Sequence, residues 1–203
     1  MKTIVFASRN EGKVREIKSM LENRGVIIRS LNDFPNIPEI EEDGDTFFEN
    51  ALKKAKTISL ATGEAVLADD SGLEVDYLGG KPGVRSSRYS GNHATDEKNI
   101  SKLLDQLNGV PEEERGARFK CVLVFYQPGD SFESFEGSLC GRINEKPEGH
   151  GGFGYDPVFF IPEKGVTVAQ LPLRIKNKIS HRAKAVIKLR KWLQKGHLSE
   201  RTS

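Results

Sequence analysis

The chain has 203 residues, 36% of them hydrophobic and 30% charged, with a formal net charge of +2. That length suits one large domain or two close-packed lobes around a substantial core, and so small a net charge does not by itself signal nucleic-acid binding. No apolar run approaches the roughly 20 residues of a membrane span, and no charged-then-apolar leader precedes the first strand. Cys121 and Cys140 stand in strand-like apolar contexts without C-x-x-C spacing or paired histidines. They read as small buried hydrophobes, and a reducing cytoplasm is the expected compartment.

Thr3 to Ala7 reads as a buried strand, followed by the polar turn Ser8-Arg9-Asn10-Glu11-Gly12-Lys13 and a helix. Val14, Ile17 and Leu21 share one face of that helix, and Gly25 is a natural stop. A strand-to-helix turn of this kind presents free amides and the positive end of a helix dipole, which suits phosphate. Ser8 and Asn10 add donors and Lys13 a charge, although an ordinary βα connection would look the same. No Walker A pattern is present. Val26 to Arg29 reads as a second strand, and Asn32 to Gly44 as an irregular segment. Glu39, Glu41, Glu42, Asp43 and Asp45 crowd there. Thr46 and Glu49 have capping-box spacing for a helix through about Thr62, closed by Gly63. Phe48, Leu52, Ala55 and Ile58 are expected to face the core, with Lys53, Lys54 and Lys56 largely outside it. One of these lysines could turn toward a phosphate.

The apolar run Ala65 to Ala68 ends in Asp69, Asp70, Ser71 and Gly72. It reads as a buried strand ending in a sharp turn at the glycine. Open α/β sheets bind ligands just past the carboxyl ends of their strands. Two acids there suit Mg²⁺, and one can deprotonate a water; an Asx-turn uses the same residues. Leu73 to Leu78 alternates as a separate half-buried strand, and Thr95 caps a helix with an Ile100, Leu103, Leu104, Leu107 stripe. Ala117 to Tyr126 and Ser131 to about Cys140 form a hairpin, which makes the sheet mixed. Gly149 to Pro157 places four glycines around two aromatics, allowing close backbone approach and stacking on a flat ligand, or simply a mobile connector. The last helix is expected from about Asn177 to Lys195, with Ser180-His181-Arg182 in its first turns and Lys176 just before it. No acid lies between Glu163 and Glu200. That basic stretch could face the acid cluster across a metal-bound polyanion, or be an ordinary solvated surface. No internal repeat or linker divides residues 1–203, so the chain reads as a single domain.

Six motifs occur in one order along the chain: S-x-N-x-x-K (Ser8 to Lys13), E-E-x-G-x-T-F-x-E-N-A (Glu41 to Ala51), A-D-D-S-G-L (Ala68 to Leu73), P-G-V-x-S-x-R-Y-S-G (Pro82 to Gly91), G-G-F-G-Y-D-P (Gly151 to Pro157) and I-S-H-R (Ile179 to Arg182). On these the chain resembles the inosine triphosphate pyrophosphatase family, also called dITP/XTP diphosphatases. The resemblance implies an α/β fold with an elongated mixed β-sheet flanked by helices, in two lobes with the nucleotide cleft between them, and a homodimer. It implies Mg²⁺-dependent hydrolysis of ITP, dITP and XTP to the monophosphate and pyrophosphate. Ser8, Asn10 and Lys13 would grip the triphosphate within the turn Ser8 to Lys13, with Lys54 helping. Glu41 or Glu42 would hold Mg²⁺ with Asp70. Asp70 would take the proton of the attacking water, with Asp69 beside it, and Ser71 would contact substrate. Phe153 would stack on the base, backed by Gly154, Tyr155 and Asp156, while Lys176, His181 and Arg182 read its edge. No nucleic-acid or membrane partner is implied. The sequence departs from the family's habit at Leu173-Arg174-Ile175, where acids are usual, and at Ala183, often Gly. The rivals are a Maf-type nucleotide pyrophosphatase and a non-catalytic nucleic-acid binder using the basic C-terminal helix. The second leaves the paired acids unexplained.

Overall fold

The computed structural model describes residues 2–21, 26–38 and 40–195; Gly25 and Glu39 lie outside them. Among the described residues, seven strands form one mixed sheet in the order β2-β1-β3-β4-β5-β6-β7. They are β1 (Lys2–Phe6), β2 (Val26–Ser30), β3 (Ala65–Val75), β4 (Gly116–Gln127), β5 (Ser131–Ile143), β6 (Phe159–Ile161) and β7 (Val166–Thr167). β1 pairs in parallel with β2 and β3, and every later pairing is antiparallel.

Period-two alternation sends successive side chains of β1 to opposite faces. Ile4 and Phe6 join Leu67, Phe125 and Leu189 in one core, beneath α1 (Glu11–Leu21) and α5 (His181–Gln194). Val5 and Ala7 join Ala51, Ile58 and Val124 in a second core, beneath α2 (Phe47–Thr62). A third core at the far end of the sheet gathers Leu73, Leu103, Phe119 and Phe159, with α3 (Asp96–Gln106) against it. Ile17, Ile58 and Leu103 are fully buried, each contributing roughly 1.5–3 kcal/mol of transfer free energy.

Four expectations change. First, the strand carrying the acids does not turn at Gly72. β3 runs unbroken from Ala65 to Val75, with Asp69 opposite Leu123 and Asp70 opposite Val122 of β4. The separate strand expected from Leu73 is its second half, and Asp76–Leu78 is a short 3-10 turn. Gly72 serves close packing: a Cβ there would collide with Ser86 Oγ and the Gly83 carbonyl. Because β1 ends at Phe6, opposite Leu67, the two acids still stand just past a parallel strand's carboxyl end. Second, the Thr46 cap phases α2 so that Phe47, Ala51, Ala55 and Ile58 are buried, and Phe48 and Leu52 only partly so. Lys54 is buried as well. Third, Cys121 is buried but Cys140 is exposed, on the opposite face of β5 from its buried neighbour Leu139. Fourth, the last helix is two helices, α4 (Leu173–Ile179) and α5, broken at Ser180.

The break at Ser180 has a local cause. Its backbone is extended (φ −63°, ψ 159°), and its hydroxyl accepts a hydrogen bond from the Ala183 amide at 3.1 Å. Its own amide donates to the Lys176 carbonyl, closing α4. One serine thus caps both helices, the role for which its short polar side chain is suited.

Candidate active site

A pocket of about 800 Å³ opens between the core beneath α2 and the core beside α3, within the size range of sites for nucleotide-sized ligands. Its lining includes every residue singled out above as a site residue except Glu11 and Gly12. Glu11 opens α1 at an exposed position. Gly12 acts by lacking a side chain: a Cβ there would stand 2.5 Å from the Phe153 ring, so only glycine lets that aromatic lie against α1.

The pocket floor is a chain of alternating charges. Asp69 Oδ1 accepts from Lys13 Nζ and from Ser71 Oγ, and Asp69 Oδ2 accepts from Arg182 Nε at 2.9 Å and from the Cys121 thiol at 3.2 Å. Arg182 donates onward to Glu16 at 2.6 Å and to Ser71 Oγ at 2.8 Å. The other Glu16 oxygen takes Lys176 at 2.8 Å, and Lys176 also reaches Asp156 at 2.5 Å. Asp156 holds the Phe153 amide. Three cations and three carboxylates therefore tie α1, β3, the glycine-rich loop, α4 and α5 together.

The electrostatics of this floor follow from its packing. Burial alone would lift the pKa of Asp69, but Arg182 and Lys13 overcome it and hold the carboxyl well below the usual range. Glu16 is lowered in the same way: Arg182 and Lys176 outweigh its desolvation. Removing one partner of such a buried network typically costs about 3–5 kcal/mol, because an uncompensated charge remains.

Asp70 sits in a different environment one residue on. Its Oδ1 accepts from the Ser71 amide at 3.1 Å, and Oδ2 is buried with no hydrogen-bond partner among the described residues. Lys54 Nζ lies 3.8 Å from Asp70 Oδ1 but spends its bonds on Glu42 Oε1 at 2.5 Å and the Asp69 carbonyl at 2.7 Å. Desolvation, aided by the neighbouring Glu42 charge, overcomes the pull of Lys54 and raises the Asp70 pKa to about 6. Glu42 is half-buried and Glu41 exposed, so Glu42 is the acid that shares Lys54 with Asp70. Among the described residues no cluster of three or more His, Cys, Asp or Glu could hold a metal by itself. An uncommitted carboxylate oxygen beside a second carboxylate does fit a hard cation that takes its remaining oxygens from substrate and water.

Around these acids stand the expected donors and rings. Asn10 caps α1 by accepting from the Lys13 amide at 2.9 Å, and Ser8 Oγ accepts from the Asn10 amide. Arg9, by contrast, is committed to structure, donating to the carbonyls of Leu31 and Ile37. Lys176 Nζ stands 4.5 Å from the centroid of the Phe153 ring. His181 stacks on Phe119, with ring centroids 4.9 Å apart. Burial, reinforced by Arg182, holds the His181 pKa well below the histidine range, so the ring is neutral. Its Nδ1 has no partner among the described residues. Tyr155 lines the pocket and donates its hydroxyl to the Ser86 carbonyl at 2.9 Å.

A model of the Ham1 family matches residues 4–192. The chain belongs to the Ham1 family. It is 56% identical over 189 residues to a dITP/XTP pyrophosphatase of Bacillus licheniformis, covering 93% of this chain and 96% of that one. A protein of the same name from Geobacter sulfurreducens is 53% identical over 95% of this chain and 97% of its own. Among solved structures, a HAM1 protein from Coxiella burnetii superposes with a TM-score of 0.87 at 40% identity, over 96% of this chain and all of that one. The Staphylococcus aureus Ham1 protein gives 0.85 at 39% identity, with the same coverage.

Within this Ham1 chain, four residues to which the sequence reading gave no role in the site take part in its architecture. Glu16 joins Lys176 to Arg182. Its spacing of three from Lys13, which puts both on one helix face, is the signal that could have found it. Cys121 donates to Asp69. Asp96, the first residue of α3, accepts from the Gly154 amide at 2.6 Å and so anchors the glycine-rich loop. Arg88 bonds to Glu42. The last three depend on pairings between segments far apart in sequence.

Proposed function

We propose that this Ham1-family protein hydrolyses the α–β phosphoanhydride bond of ITP, dITP and XTP, releasing the nucleoside monophosphate and pyrophosphate and so clearing deaminated purines from the nucleotide pool. The observation that carries the reading is Asp70 Oδ2, a buried carboxylate oxygen without a partner among the described residues, beside Glu42 and within a lysine-lined pocket. The names of its close relatives, dITP/XTP pyrophosphatases, support the substrate class. Asp70 and Glu42 would hold Mg²⁺, with the exposed Glu41 alongside; the ion supplies charge neutralisation on the phosphate oxygens.

In this reading Lys13, Lys54 and the positive end of α1, with Ser8 and Asn10, receive the triphosphate. Asp70 is also our candidate to accept the proton of the attacking water; its raised pKa of about 6 describes the site without the ion, and a bound Mg²⁺ would lower it. Both oxygens of Asp69 are committed to cations and donors, which makes it a poor proton acceptor. We therefore give it the clamp that fixes Lys13 and Arg182, and give the proton to Asp70. Phe153 stacks on the base, and Lys176, His181 and Arg182 face its edge. Hypoxanthine and xanthine carry a 6-oxo acceptor where adenine carries an amino donor. Donors fixed on that edge leave adenine's amino group facing other donors, a mismatch that can reach about 10⁴-fold in selectivity. The same reading takes the enzyme to be a homodimer of the reducing cytoplasm.

A pyrophosphate-release screen over natural and deaminated nucleoside triphosphates, with and without Mg²⁺, tests the reading. Mg²⁺-dependent release of pyrophosphate and monophosphate from ITP and XTP supports it. Release of orthophosphate, or equal turnover of all nucleotides, contradicts it.

A further inference from the structure

The motif Pro82 to Gly91 has no place in the chemistry above, yet its last arginine crosses the pocket to the acid segment. Gly83–Arg88 is a 3-10 segment held from three sides. Ser86 Oγ accepts from the Leu73 amide of β3 at 2.8 Å and donates to the Gly83 carbonyl at 2.6 Å. Tyr155 holds the Ser86 carbonyl, and Asn99 of α3 both donates to the Ser87 carbonyl at 3.1 Å and accepts from the Ser90 amide at 2.8 Å. The missing Cβ of Gly72 is what lets this segment lie so close to β3. Arg88 therefore projects from a fixed platform.

Its target is not fixed by secondary structure. Residues 40–45 belong to no helix or strand. Glu42 is held through side chains: Lys54 takes its Oε1, and Arg88 takes the rest. Arg88 Nη2 donates to the Glu42 main-chain carbonyl at 2.6 Å, and Nη1 lies 3.5 Å from Glu42 Oε2. A guanidinium has the forked donors needed to hold a carbonyl and a carboxylate of one residue together; an ammonium does not.

We propose that Arg88 is a positioning residue: by gripping Glu42 at both its backbone and its carboxylate, it sets that carboxylate opposite Asp70 and prepares the pair for a divalent cation. This rests on the reading that Glu42 and Asp70 hold the ion. It also makes a prediction of opposite sign to simple charge repulsion. A cation near a metal site weakens metal binding, so deleting a mere neighbouring charge would tighten it. Deleting a residue that orients a ligand loosens it, commonly by about 10-fold or more.

The test is Mn²⁺ binding to the nucleotide-free protein, read by the electron paramagnetic resonance of free Mn²⁺, for wild type, Arg88→Met, Arg88→Lys, Glu42→Gln and the Arg88→Met/Glu42→Gln pair. Circular dichroism checks that each variant folds. The expected result is weaker Mn²⁺ binding in Arg88→Met by about 10-fold, a smaller loss in Arg88→Lys, and no further loss from Arg88→Met once Glu42 is Gln. Binding in Arg88→Met that equals or exceeds wild type overturns the proposal. So does an equal loss in the Glu42→Gln background, or a wild-type protein that binds no Mn²⁺ without nucleotide. If Arg88→Met does not fold, wild-type binding in Arg88→Lys overturns it instead. Pyrophosphate release by the wild type, measured in parallel, separates the two claims. Absence of release defeats the functional reading whatever Mn²⁺ does; release together with unchanged Mn²⁺ binding in the variants defeats only the role of Arg88.

Discussion

Adjacent residues of one strand can do opposite work because a strand sends them to opposite faces. Asp69 enters the side where α1 and α5 bring Lys13 and Arg182 to it, and Asp70 faces the side of α2 and Lys54. Replacing each with asparagine should separate the roles. Asp70→Asn is expected to lower kcat by about 10²–10⁴-fold, the usual worth of a general base, while raising the melting temperature at pH 7. The sign follows from linkage. In the metal-free protein the folded pKa of Asp70 lies above its unfolded value, so the cost of ionising it builds from about pH 4 and is complete above about pH 6, and asparagine removes that cost. Asp69→Asn is expected to do the reverse, losing about 3–5 kcal/mol of stability by leaving Lys13 and Arg182 without their shared partner. Steady-state kinetics and thermal unfolding of the two variants, side by side, check both. The paired carboxylates were legible in the sequence, with Asp70 favoured as proton acceptor through the resemblance; the parting of the two side chains to opposite faces was not. The turn expected at Gly72 hid the β4 partner that extends the strand, and with it the fact that the two side chains part.

At the scale of elements, local rules served well where the element is held by its own residues. The Thr46–Glu49 capping box, the left-handed Gly63 and the α3 stripe all stand where their spacing put them. They served less well where an element depends on something distant. Lys54, expected outside the core, is buried because Glu42 and the Asp69 carbonyl receive its charge. The last helix is broken at Ser180, where an uninterrupted apolar periodicity concealed a cap. That break decides the direction of His181 and Arg182, the first residues of α5. Ser180→Ala should therefore lower stability by only about 0.5–2 kcal/mol, the ordinary value of a cap, yet raise KM for the nucleotide more than it lowers kcat. Ser180→Thr, which keeps the hydroxyl, should restore both; kinetics on the two variants check it.

For the molecule as a whole, fold class, chain order of the elements and the gathering of dispersed motifs into one pocket were all legible. What the sequence could not display was the depth of the ionic floor, since a charged residue reads as solvent-facing until its partner is known. That floor should govern acid stability. Asp69 and Glu16 have folded pKa values below their ordinary ones. Their contribution is thus fully present above about pH 4–5 and is lost as pH falls through the lowered folded values. Acid unfolding of Glu16→Gln, followed by circular dichroism, should show less pH dependence below pH 4 than wild type, from a lower starting stability.

The central claim is that fixed donors around a triphosphate pocket choose purines by the group at position 6. The measurement that tests it most directly is the ratio of kcat/KM for pyrophosphate release from ITP to that from ATP, at one saturating Mg²⁺ concentration. A ratio of about 10² or more supports the account; a ratio near one contradicts it.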